Sequence, residues 1–169
     1  MEKELKDELK GLEITMLNEK AENAVAVAVA ATAVTGLAPL PFADAPLLIV
    51  EQVTLMATIC GIYGIDVEKD GLKMLAATVL GAGGAAIVGK TIATNLLKLI
   101  PGVGTAMGGA ISAGTAGTVT LAMGKAFIEV CKAVKLGKLS ESDLTSSEGV
   151  TMMKEQFKDQ IKECGRKWV

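Results

Sequence analysis

Gly84, Gly89, Lys90 and Thr91 satisfy the G-x-x-x-x-G-K-[ST] spacing of a phosphate-binding loop. In such a site backbone N–H groups surround the phosphates, the lysine reaches the terminal ones and the threonine meets magnesium. That chemistry needs a buried strand before the loop and further parallel strands around it. Here the flanking runs are helix-like, and no later run offers a strand ending in a metal-binding aspartate. The residues between Ala85 and Val88 read as helix interior. The match is assigned to chance, and neither ATP nor GTP binding is expected.

Other routes to catalysis are thin. The chain has no histidine, which removes the commonest general base and metal ligand. Its three cysteines, Cys60, Cys131 and Cys164, are far apart and form no metal-spaced or redox pair. Cys60 and Cys131 sit in apolar surroundings, where free thiols act as small hydrophobes. An odd count without a pairing pattern suits a reducing compartment. Asp44 and Glu51 stand seven residues apart with no second acid–base partner. Glu51 is nevertheless the candidate functional polar residue, because an ionised group in apolar surroundings demands compensation. No enzyme activity, cofactor or metal is expected.

The strongest pattern concerns packing. Residues 99 to 124 carry no charge and hold seven glycines. Gly104, Gly108 and Ser112 recur every four residues, and Ala110–Gly114 and Ala113–Gly117 repeat the spacing on adjacent faces. Gly81, Ala85 and Gly89 do the same upstream. Small residues at this spacing let two helix backbones approach closely. Gly81, Gly89, Gly104, Gly108, Gly114 and Gly117 are therefore the expected helix-packing positions, with the Gly81–Gly89 helix the expected partner within the chain.

Composition limits the partners. The chain has 169 residues, 50% of them hydrophobic but only 3% aromatic, with a formal net charge of −2. A mean hydropathy of +0.44 is high for a soluble domain and modest for a multispanning membrane protein. With neither a basic footprint nor stacking aromatics, nucleic acid is excluded as a partner. The charged start, MEKELKDELK, is no secretory signal, so a cytoplasmic or cytoplasmic-membrane location is expected.

The elements that must position these residues are helices. Residues 1–22 form a charged arm in which Leu5, Leu9, Leu12 and Met16 follow 4-3-4 spacing, an amphipathic helix interrupted by Gly11. Its stripe is expected to pack on the rest of the domain, because a coiled-coil partner face needs sustained heptads. Residues 23–138 form the apolar glycine-rich domain. AVAVAVA alternates like a strand, but its alanine content and continuity with the arm favour a helix to about Gly36. Pro39 and Pro41 break it. Asp44 caps the next helix, Pro46 lies in its first turn, and it runs to about Gly64. Those twenty residues span roughly 30 Å, the thickness of a bilayer core or of a small domain.

GIDVEKDG marks a turn with Asp66 capping a helix from near Val67. A short apolar helix between Lys90 and Lys98 precedes Pro101, and the glycine-rich helix continues through FIEVCKAVKLG. Residues 139–169 hold a polar break, a Thr145–Glu148 capping box and an amphipathic last helix. Its stripe of Val150, Met153, Phe157 and Ile161 is expected to dock on the domain, with membrane-surface binding the other reading. The fold class is all-α, a compact domain of about five or six helices.

The order PLPFADAPLL, a helix with Gln52, GIYGIDVEKD, GAGG and NLLKLIPGVGTAMGGAISAGTAGTVTLAMGKAFIEV resembles a bacterial helical domain of unknown function. The resemblance covers about residues 20 to 135, and LIPGVGT with GGAISAGTAG is its most specific part. That domain is often appended C-terminally to Era-like GTPase domains and occurs in inner-membrane proteins. The resemblance implies a membrane-associated or GTPase-coupled helical module and brings no catalytic residues with it. The chain departs from the fused form in having no NKxD motif and few residues before its helices. The expected function is a non-catalytic membrane-associating or self-associating module coupled to a GTPase system. A soluble domain docking onto a separate GTPase is the alternative.

Overall fold

The computed structural model describes residues 1–35, 44–81 and 108–167, and every regular element among them is a helix. They are α1 (Glu2–Thr35), α2 (Asp44–Tyr63), α3 (Lys69–Gly81), α4 (Gly108–Lys135) and α5 (Ser147–Lys167). An all-α fold of about five helices is what the periodicity predicts. The phosphate-loop match, the Lys90–Lys98 helix and the proline break at 39–41 lie outside the described residues.

α1 runs unbroken through Gly11 and through AVAVAVA, so the boundary drawn at 22/23 falls inside one helix. The apparent strand alternation loses to helical spacing. Ala21, Val25 and Thr32 are buried and Ala28 is half-buried, a 4-3-4 set that faces the domain. Alanine, the best helix former, fills the positions between.

α4 is the central element. It packs on α1, α2 and α5, while α3 bridges α2 and α5. Phe127 and Met123 of α4 are fully buried, as are Met56 and Ile59 of α2, Leu72 and Leu75 of α3, and Met153 of α5. The α5 stripe docks as expected: Met153, Phe157 and Ile161 are buried and Val150 is half-buried.

Two chain reversals share one mechanism. After α2, Gly64 takes φ +64°, with Ile65 N–H donating to the Cys60 carbonyl at 2.9 Å and Gly64 N–H to that of Gly61 at 3.3 Å. After α4, Gly137 takes φ +72°, with Lys138 N–H donating to Ala133 at 2.9 Å and Gly137 N–H to Val134 at 2.9 Å. Both are Schellman caps, in which a left-handed glycine lets two N–H groups satisfy the last orphan carbonyls.

Two helix starts differ from expectation. α3 begins at Lys69 rather than near Val67, and its first carbonyl acceptor is Glu68, which takes the Leu72 N–H at 3.2 Å. Asp66 instead offers its own N–H to Glu141 at 3.5 Å. At α5 the cap is Ser146, not Thr145: Ser146 Oγ accepts the Glu148 N–H at 3.2 Å. Thr145 instead packs its methyl on Gly71, 3.0 Å from where a Cβ on that glycine would stand.

Candidate interaction surface

α1 presents two apolar faces. The inner face, from Ile14 and Leu17 to Ala21 and Val25, enters the domain. The outer face, roughly 150° round the helix at 3.6 residues per turn, carries the Leu5, Leu9, Leu12 and Met16 stripe. These four are 58%, 57%, 63% and 59% exposed. The expectation that this stripe packs on the domain is corrected here, because the domain takes the opposite face.

The same outer line leads to Val27, 72% exposed, which rims an open groove of about 530 Å³ between α1 and α2. Ala24, Ala28 and Ala31 line one side, Val50 and Leu55 the other, and Thr120 of α4 the floor. The groove is less polar than its residue names suggest. The hydroxyls of Thr32, Thr54 and Thr58 each donate to the carbonyl four residues back, at 2.8 Å, 2.9 Å and 2.8 Å. Side chains bonded this way turn their methyls outward. Thr120 Oγ1 accepts from Gln52 Nε2 at 2.9 Å. The polar groups remaining at the rim are the half-buried Glu51 and the exposed Asn23.

Gln52 is fully buried, and its Oε1 meets no hydrogen-bond partner among the described residues; nor does the Tyr63 hydroxyl. Burial pushes the Tyr63 phenol well above its ordinary value. Burial also pushes the Cys131 thiol well up, and its hydrogen bond with Cys60 joins α2 to α4 while lowering the Cys60 thiol. Among the described residues the lining of the groove contains no nucleophile–base pair. Among the described residues no group of three acids or thiols gathers where it could hold a metal.

The six glycines expected to pack closely are placed differently. Gly117 is buried on α4, where an added Cβ would lie 3.7 Å from Val29 of α1, ordinary contact distance. Gly81 ends α3 exposed, with nothing within 4 Å of an added Cβ, so no close approach exists there among the described residues. Gly108 and Gly114 lie in the first half of α4, and Gly89 and Gly104 fall outside the described residues. Among the described residues α4 packs on α1, α2 and α5, and the helix expected at Gly81–Gly89 lies outside them but for Gly81.

The tightest approach between helices at a described glycine is at Gly124, which the spacing argument did not single out. A Cβ there would stand 2.5 Å from Val25 Cγ2 and 3.2 Å from Leu55 Cδ2. The signal was present, since Gly124 is the last glycine of the uncharged run. Gly149 is also tight, because a Cβ would run into the carbonyl oxygens of Leu144 and Asp143 that shape the α5 cap.

A helical domain with apolar outer surfaces is the class these features define. The chain belongs to the family described as Domain of unknown function (DUF697), whose model matches residues 1–157. No curated protein and no solved structure is significantly similar to it. Among the described residues no helix is long and apolar enough to cross a membrane.

Proposed function

We propose that the chain is a non-catalytic helical module that self-associates through its N-terminal arm, within the GTPase-coupled setting the family resemblance implies. One observation carries this reading: four large apolar side chains, each more than half exposed, stand in one line on the outer face of α1. Contiguous exposed apolar surface of this kind marks interaction sites. An anionic membrane surface suits it less well. Residues 1–22 hold seven acidic residues against four lysines, whereas membrane-surface helices carry a basic polar face.

The test is sedimentation equilibrium of the full chain over a wide concentration range. Wild type should associate reversibly, and Leu9→Glu with Leu12→Glu should leave a folded monomer. A chain that stays monomeric at millimolar concentration would remove the reading. A second reading rests on the α1–α2 groove, whose apolar lining suits a partner helix of a separate GTPase. Binding of such a partner weakened by Val27→Glu and Val50→Glu, but not by the arm variants, would support that reading instead.

A further inference from the structure

We infer that the arm pairs with the arm of a second copy in antiparallel orientation, with Lys6 of each facing Glu13 of the other. This rests on the self-association reading and deepens it. With Leu5 and Leu12 at d positions and Leu9 and Met16 at a positions, Lys6 and Glu13 fall at e, and Glu8 and Thr15 fall at g. All four of these flanking residues lie on the solvent-exposed part of α1.

A parallel pair sets the g flank of one helix against the e flank of the other. That juxtaposes Glu8 with Glu13 twice, which is repulsive. An antiparallel pair sets e against e and g against g. Leu5 then lies over Met16 and Leu9 over Leu12 of the second copy, Lys6 faces Glu13 twice, and Glu8 faces Thr15. Like charges across such a seam select against a pairing, and opposite charges select for it. Lys6 already bonds Glu2 at 3.0 Å within its own helix. Its ammonium has further donors for a partner carboxylate.

Two heptads alone form a weak coiled coil, since a short free helix must also be ordered. Here that cost is largely met in advance, because α1 continues into the domain and is anchored by Ala21 and Val25.

Sedimentation equilibrium of the full chain at low ionic strength distinguishes the two orientations by sign. Glu13→Lys should weaken the antiparallel dimer roughly three- to tenfold, as expected for two exposed ion pairs replaced by repulsions. Lys6→Glu should weaken it likewise, and the double swap Lys6→Glu with Glu13→Lys should restore it. All these positions are exposed, so melting temperature in the dilute monomer reports that folding is intact. If Glu13→Lys tightens the dimer, or the double swap does not restore it, the antiparallel pairing is overturned while self-association stands. If Leu9→Glu with Leu12→Glu leaves association unchanged, the arm is not the interface and both readings fall.

Discussion

Two helices of this chain carry apolar stripes of the same helical spacing, and the fold treats them oppositely. In α5, Met153, Phe157 and Ile161 are buried against the domain; in α1, Leu5, Leu9, Leu12 and Met16 remain exposed. The difference lies in the rest of each helix. α5 has one apolar face, delivered to the core by a short connection in which Leu139 and Leu144 are themselves buried. α1 has a second face, and the small Ala21 and Val25 of that face let α4 approach through Gly124. The closer-packing face wins the domain, and the larger side chains stay outside. Periodicity identifies a face; it does not say what covers it.

The largest expected effect separates the two stripes. Phe157→Ala should cost about 3–5 kcal/mol of stability through the cavity it leaves. Leu9→Ala in dilute monomer should stay within about 0.5 kcal/mol, as exposed substitutions do. Chemical denaturation of both variants measures this, and comparable losses would mean that the arm stripe is covered within the chain.

Next in size is the contrast among glycines. Gly124→Ala should lose roughly 1–3 kcal/mol by overpacking against Val25. Gly117→Ala meets only ordinary contact and Gly11→Ala meets nothing, so each should be neutral or gain up to about 1 kcal/mol from helix propensity. Melting temperatures that rank Gly117→Ala below Gly124→Ala would contradict the placement of the close approach.

A smaller effect concerns two buried ionisable groups, Tyr63 of α2 and Cys131 of α4. Burial holds the Tyr63 phenol and the Cys131 thiol above their ordinary values. Their protons are thus held more tightly in the folded chain than in the unfolded one. Stability from these groups is fully present at neutral pH and falls as pH rises past about 9, where the unfolded chain releases the protons first. Tyr63→Phe should flatten part of that alkaline fall. At pH 7 it should be neutral or stabilising by up to about 1 kcal/mol, since the hydroxyl it removes has no partner among the described residues. A marked loss at pH 7 would show that the hydroxyl is satisfied.

Much of the fold was legible in the sequence, for definite reasons. The breaks at GIDVEKDG and SESDLTSSE, the merger of the arm with AVAVAVA and the docking of the Phe157 stripe follow from helical spacing and turn chemistry. Cap positions were less legible, because Asp66 and Ser146 each compete with neighbours able to cap. The glycine spacing pointed correctly to α4 as a helix of small residues. The opposing helix it named, Gly81–Gly89, lies outside the described residues but for Gly81. Gly124, in no four-residue repeat, has the closest neighbours on other helices among the described glycines because it faces Val25 and Leu55 together. For the candidate surface, the arm stripe was visible from the start. Its exposure was not, because that depends on Ala21 and Val25 taking the domain.

The most direct test of the exposed, self-associating arm is thiol labelling of a Leu9→Cys variant as a function of protein concentration, resolved by peptide mass spectrometry. The buried native Cys60 and Cys131 serve as internal references. Residue 9 should label rapidly in dilute solution and be protected as concentration rises, while the two references stay unlabelled throughout. Labelling of residue 9 that is slow at every concentration, or rapid at every concentration, would contradict the account.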